Sequence, residues 1–278
     1  MAPADPIVLE RDLVIEGDCA DVLPRLPAGA FELIYIDPPF NTGATRRHRR
    51  LSVSRDAAGE RVGFGGHRYR ATAVGEMDYA DRFDDYVGFL APKLELAREL
   101  LAPEGTLYVH LDYREAHYVK VALDAIFGRE CFLNEIIWAY DYGGKPARRW
   151  PAKHDTILVY VREPGRHLFD ADAVEREPYM APGLVGPEKA ARGKRPTETW
   201  WHTIVATSGR ERTGYPTQKP EGVIRRMVAA SSRPGGWCLD FFAGSGTLGA
   251  VCAALGRHYV LVDSSPQAIA VIRERLQG

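Results

Sequence analysis

One run constrains this chain more than any other: Phe31 to Phe40, FELIYIDPPF. Five of its first six residues are apolar or aromatic. A strand open to water on one side would alternate, so this one belongs inside a sheet covered on both faces. Asp37 stands where the strand must end. Pro38 and Pro39 lack the N–H a ladder needs, and they fix the backbone just after the acid. The turn thus presents one carboxylate, proline carbonyls with no competing donors, and the ring of Phe40. A flat substrate bearing an amino group fits such a turn: its N–H bonds go to the carboxylate and a carbonyl, and its face goes to the ring. By itself the turn reads equally well as a strand-to-loop connection.

The rest of the chain supplies partners for that strand. Further strands are expected at Leu13–Ile15, Thr106–Leu111, Ile136–Tyr140, Thr156–Val161, Trp237–Phe242 and His258–Val262. Helices are expected at Phe83–Leu101 (broken near Gly88 and Pro92), Arg114–Phe127, Pro220–Ser231, from Thr247 to Gly256, and after Ser264 or Ser265. Pro103-Glu104-Gly105 reads as a turn. Strands alternating with helices predict an α/β fold, a doubly wound, mostly parallel sheet. At 278 residues the chain has room for one such domain with insertions.

Two stretches interrupt the pattern. Residues 41–80 are rich in Gly and Arg and read as a long mobile loop. Arg46 to Arg70 holds eight arginines against Asp56 and Glu60, a net +6. Either this is a solvated loop, or Arg46, Arg47, Arg49, Arg50 and Arg68 meet phosphates beside the Asp37 turn. Residues 163–216 carry five of the prolines between Pro164 and Pro196, a basic run through Arg195, and Trp200-Trp201. They are either an insertion that touches a partner, through Arg195 and Trp201, or a cover over an open sheet edge with both tryptophans in the core. The organisation expected is thus 1–162, 163–216 and 217–278, the first and last being halves of one domain.

Near the other end, LDFFAGSGT is a strand that turns through Gly244 and Gly246 into a helix start, where N–H groups are free. Asp263 ends the next strand 23 residues after Asp240, the place where an acid accepts ribose hydroxyls in a βαβ nucleoside site. A dinucleotide fold is the rival; it is set aside because Gly244 and Gly246 are read as the only glycines of the loop, short of a G-x-G-x-x-G, and because Asp240 beside the loop would repel a pyrophosphate and suits a cationic ligand. A nucleoside carrying an amino acid and a sulfonium centre, S-adenosylmethionine, satisfies both.

A net charge of −1 confines any nucleic-acid contact to local patches. The four cysteines, at 19, 131, 238 and 252, form no CxxC pair, so no metal site or disulfide framework is expected and a reducing cytoplasm is. No run of apolar residues is long enough to span a membrane.

Asp37-Pro38-Pro39-Phe40, Thr217-Gln218-Lys219-Pro220 and Asp240-Phe241-Phe242-Ala243-Gly244-Ser245-Gly246-Thr247, in that order, resemble the amino-methylating DNA methyltransferases in their β-group permutation, especially restriction–modification members. The stretches 105–112, 132–138 and 154–160 are similar to that family too. The resemblance implies a circularly permuted, Rossmann-like methyltransferase fold with a target-recognition insertion. It also implies S-adenosylmethionine as cofactor, double-stranded DNA as substrate and base flipping. Asp37 through Phe40 would be catalytic. Asp240, Phe242, Gly244, Ser245 and Thr247 would line the methionine end of the cofactor, together with Phe241, Ala243, Gly246 and Lys219. Asp263 and Ser264 would lie at the ribose, Asp18 and Cys19 near the adenine, and Asp37 close to the methyl group. Phe241 departs from the family, where proline is commoner. Relatives of this group commonly pair, and a homodimer through the Tyr86–Leu101 helix is expected. A cognate restriction endonuclease is a further implied partner. C5-cytosine chemistry is excluded because no cysteine follows a proline. Asp rather than Ser at position 37 leans toward adenine N6 over cytosine N4. A non-catalytic DNA-binding relict and an RNA or protein amine methyltransferase are the rival readings.

Overall fold

A computed structural model of the chain describes residues 5–42, 44–55, 61–62, 68–144, 146–206 and 208–277, and the side chains of 44–55, 61–62 and 69–81 lie outside that description. The chain divides into two compact units, Asn41–Asp84 and the remainder.

The larger unit is built on eight strands: β1 (Leu13–Glu16), β2 (Phe31–Ile36), β6 (Leu101–Leu111), β7 (Phe132–Ala139), β8 (His154–Val161), β9 (Thr199–Trp201), β10 (Trp237–Asp240) and β11 (His258–Asp263). Their order is β1-β11-β10-β2-β6-β8-β7-β9. The first five are mutually parallel, β8 is antiparallel to β6 and β7, and β9 runs parallel to β7. In β2, five side chains of six are essentially inaccessible, each contributing about 1.5–3 kcal/mol of apolar burial. The two halves of the chain meet where β10 pairs with β2, Cys238 opposite Leu33 and Leu239 opposite Ile34. Asp37 and Asp240 therefore leave the same edge of the sheet on neighbouring strands, at the point where a doubly wound sheet opens a crevice.

The helices of this unit are α1 (Cys19–Val22), α2 (Tyr86–Leu100), α3 (Ala116–Phe127), α4 (Pro187–Arg192), α5 (Glu221–Ser231), α6 (Thr247–Leu255) and α7 (Pro266–Gln277). The expected break in α2 is absent. Asp85 accepts from Gly88 N–H as the helix cap, so the glycine lies in the first turn, and the helix runs on through Pro92. The apolar face expected to serve a second copy, Tyr86, Leu90, Leu94, Ala97 and Leu100, is buried within the chain. The expected turn at Pro103-Glu104-Gly105 is a wide bulge inside β6, between the pairs Phe31–Leu101 and Leu33–Thr106.

Of the two tryptophans that one reading of residues 163–216 places in the core, only one is there. β9 extends the sheet beyond β7, and it buries Trp200 in the core while Trp201 is 75% exposed. Consecutive strand residues face opposite sides, so one tryptophan had to go each way.

The smaller unit corrects the expected loop at 41–80. β3 (Ala44–Arg55) pairs antiparallel with β5 (Arg68–Asp81), and β4 (Arg61–Val62) also pairs with β5. Phe83 N–H donates to Asn41 Oδ1 at its base. Pairing Ala44 with Asp81 is non-local, and glycine and arginine content says nothing about it.

No helix among the described residues is long and apolar enough to cross a membrane.

Candidate active site and cofactor cleft

The turn after β2 is held by a residue far along the chain. Lys219 is 9% exposed, its Nζ is 2.8 Å from Asp37 Oδ1, and the same ammonium sits 4.4 Å from the centre of the Phe40 ring. The ammonium is close but not aligned as a hydrogen-bond donor, so Asp37 Oδ1 is a buried acceptor without a hydrogen bond. Lys219 is itself fixed by its turn. Thr217 takes a left-handed φ of 61°. Gln218 Nε2 donates to the Glu211 carbonyl, while its Oε1 accepts from Thr213 N–H and hydroxyl.

Behind Phe40 lies a buried relay that sequence reasoning missed. His110, fully buried on β6, meets Tyr35 Oη at 2.9 Å through Nδ1 and Asp155 Oδ2 at 3.1 Å through Nε2. Tyr140 Oη donates to Asp155 Oδ1. The His110 ring lies 5.9 Å from Phe40 and is met edge-on by Trp138. One proton arrangement satisfies every group: Tyr35 donates to Nδ1, while Nε2–H and Tyr140 donate to the carboxylate. Burial pushes the Asp155 carboxyl up, but His110, Lys219 and Tyr140 more than offset this and hold it below its ordinary value.

The second half of the cleft follows β10. Burial drives the Asp240 carboxyl well above its usual range, and the nearby Asp37 and Asp263 push the same way against one hydrogen bond from Phe242 N–H. Asp263 is raised by burial too, against hydrogen bonds from Ser265 and Gly244 N–H. Its two oxygens accept those hydrogen bonds, each at 2.8 Å, so it ties the glycine loop to the end of β11. Gly244 and Gly246 have φ of 50° and 71°. Gly249, passed over above, completes a G-x-G-x-x-G spacing. A Cβ there would lie 2.6 Å from Leu261 Cδ1, so this glycine lets α6 pack closely on β11. Glycine spacing alone therefore does not separate this loop from a dinucleotide site; the acids do. Three carboxylates, at 37, 240 and 263, converge here, with Lys219 the cation that pairs one of them. Acids raised by burial, and at Asp240 also by repulsion from its neighbours, favour a cationic ligand, whose ammonium and sulfonium charges would stabilise their ionised forms, over a phosphate. Thr247 Oγ1 donates to the Lys219 carbonyl, and Arg275 of α7 braces the loop through Ser245 and Thr247 while pairing with Glu221.

Comparison with known proteins decides the family. Residues 31–274 match the N6/N4 methyltransferase model, described as DNA methylase. The chain belongs to this family. It is an S-adenosylmethionine-dependent DNA methyltransferase. It is 30% identical over 265 residues to the type II methyltransferase M.HpaI of Haemophilus parainfluenzae, covering 95% of this chain and 74% of that one. It is 26% identical to the DNA adenine methyltransferase YhdJ of Escherichia coli K12, covering 96% and 83%. Among solved structures it shares the fold of the M1.HpyAVI complex with S-adenosylmethionine (TM-score 0.60, 18% identity, 96% and 99% covered). It likewise shares that of the cytosine-N4-specific PvuII methyltransferase (0.65, 13%, 96% and 89%).

In this methyltransferase, the residues expected around the cofactor gather along one edge of the sheet. Glu16 of β1 is opposite Asp263, and Gly17 N–H donates to the Asp263 carbonyl, which sets Asp18 and Cys19 beside that acid. Asp18 caps α1, and burial lifts the Cys19 thiol to about 11. Ser264 follows directly in the turn into α7. The expected DNA contacts scatter. The side chains of Arg46, Arg47, Arg49 and Arg50 lie outside the described residues, and Arg68 is exposed in the smaller unit. Arg195 pairs with Asp172 and lines a cavity with Thr106 and Leu133, near the strand starts away from the catalytic edge. Trp201 sits opposite Ala139, at that edge. Arg275 and His110 carried no signal in sequence, because their partners are distant in the chain.

Proposed function

We propose that this enzyme methylates the exocyclic N6 amine of adenine in double-stranded DNA, within a cytoplasmic restriction–modification system. The observation that carries the reading is the Asp37 carboxylate at the crevice between β2 and β10, its Oδ1 buried against the Lys219 ammonium while the side chain stays 19% exposed. An exocyclic amine is a poor nucleophile because its lone pair is delocalised into the ring. Asp37 and the Pro38 carbonyl accept its two N–H bonds, which localises the lone pair toward the methyl donor. When bound, S-adenosylmethionine supplies a sulfonium-activated methyl group. Asp240 and the turn 243–247 hold its amino-acid end, and Asp263 its ribose. Phe40 stacks on the flipped base, offsetting about 1–3 kcal/mol of the cost of unstacking it. Lys219, seated on Phe40 and Asp37, fixes both. Positioning and electrostatics supply the catalysis without a covalent enzyme intermediate. The basic segment 46–70 adds phosphate affinity, and 163–216 takes part in target recognition.

Adenine is favoured by Asp at position 37 and by a relative named as a DNA adenine methyltransferase. Cytosine N4 is the second reading, favoured by the fold shared with a cytosine-N4-specific enzyme. A cognate endonuclease accords with a relative named as a type II methyltransferase. Incubating unmodified genomic DNA with enzyme and cofactor, then digesting it to nucleosides for mass analysis, tests the base. N6-methyladenine is expected; N4-methylcytosine would reverse the base assignment, and absence of both would reject DNA as the substrate.

A further inference from the structure

Between β7 and β8 the chain runs from Tyr140, expected to end a strand, to Lys153, and no functional reading of this connecting loop came from the sequence. β7 is antiparallel to β8, and β8 is antiparallel to β6, so β7 runs with β6 and β2. Its last residue, Ala139, therefore stands at the edge of the sheet that carries Asp37, Asp240 and Asp263. The loop leaves from this catalytic edge. Trp150 is 95% exposed and Tyr142 66%. Arg148 and Arg149 immediately precede Trp150 and are both exposed, and neither has an ion pair among the described residues.

The stem of the loop is rigid where it meets the site. Tyr140 N–H donates to the Lys153 carbonyl at 2.9 Å, and Tyr140 Oη donates to Asp155, which reaches His110 and so the wall behind Phe40. Lys153 Nζ closes the stem on the Gly143 carbonyl. Trp201, 75% exposed, flanks the stem on β9. A stem held by these bonds thus presents a solvent-facing ring next to two arginines without ion pairs among the described residues, on the catalytic edge of the sheet.

We propose that residues 146–153 are a DNA-contacting element in which Arg148 and Arg149 take backbone phosphates and Trp150 stacks on a nucleobase of the opened duplex. This rests on the DNA methyltransferase reading and adds a surface to it. Cations with an interleaved aromatic are the chemistry that holds unstacked nucleic acid: guanidinium groups track phosphates, and every base offers a π-face.

The test is anisotropy of a fluorescein-labelled, unmethylated DNA duplex titrated with full-length enzyme over a range of salt. Trp150→Ala should weaken binding by about 5- to 150-fold, and Trp150→Phe should recover most of it. Arg148→Gln/Arg149→Gln should lower the slope of log affinity against log salt by about 1.8, from about 0.9 per phosphate contact. Calorimetry with S-adenosylmethionine should give wild-type affinity for all three, showing that each is folded. Unchanged affinity in Trp150→Ala, or an unchanged slope in the arginine pair, overturns the proposal. Failure of the wild-type enzyme to methylate any DNA is a separate outcome, which would defeat the functional reading on which the proposal stands.

Discussion

Lys219 Nζ lies 2.8 Å from Asp37 Oδ1 and 4.4 Å from the centre of the Phe40 ring. One ammonium thus engages both the carboxylate assigned to the target amine and the ring assigned to its face. Because the lysine carbonyl also accepts from Thr247, the same residue joins the catalytic turn to the glycine loop.

Removing one partner of that pair leaves the other charge in a largely dry site. Lys219→Met should destabilise the protein by up to about 3–5 kcal/mol, and Asp37→Asn/Lys219→Met by less than the sum of the single changes. Urea melts of the four proteins measure the coupling; strict additivity would show that the pair carries none. Asp37→Ala should abolish methyl transfer while calorimetric affinity for the cofactor stays near wild type. Turnover retained within about tenfold would remove Asp37 from the mechanism.

Asp240 provides a pH dependence whose sign is set by burial. Its folded-state carboxyl titrates well above its ordinary value, so the folded state holds a proton that the unfolded state releases. Its contribution to stability is full below the ordinary carboxylate range and is lost as pH rises toward the elevated folded value. At neutral pH Asp240→Asn should therefore raise the melting temperature of the cofactor-free protein while weakening cofactor binding. Thermal melts with and without S-adenosylmethionine read both. A lowered melting temperature without cofactor would mean the acid is structural.

Asp263 accepts from Gly244 and Ser265 N–H, so it shapes the loop as well as offering a ribose acceptor. A lost hydrogen bond to a charged group is worth about 1.5–3 kcal/mol. Asp263→Ala should raise the cofactor dissociation constant by roughly 10- to 150-fold, with Asp263→Asn intermediate. An unchanged constant would reduce Asp263 to a capping residue.

His110 touches no reacting group in this scheme; it positions Phe40. His110→Ala should lower kcat by up to about 100-fold through misplacement of the base, with cofactor affinity unchanged. Steady-state kinetics with calorimetry separate this from general damage, which would move both. An unaltered kcat would show that Phe40 is held without it.

What the residue order determined by itself was local. Phe31–Ile36 is apolar on both faces and so had to be an interior strand, and Asp37-Pro38-Pro39 had to end it. The turn at 240–247 and the acid at 263 declared a nucleoside cleft, because glycines and strand-end acids act within a few residues of themselves. The insertion 163–216 was recognisable as a break in pattern, but which tryptophan would be buried was not: Trp200 is in the core and Trp201 is exposed. What only the tertiary structure decided was adjacency. Pairing of β10 with β2 faces two distant motifs across one crevice, Lys219 reaches Asp37, His110 finds Asp155, and residues 44–55, 61–62 and 68–81 pair as strands where a loop was expected. These contacts join residues far apart in the chain, and their free energy comes from burial and charge pairing that exist only after the chain has closed on itself. A local pattern carries no record of them.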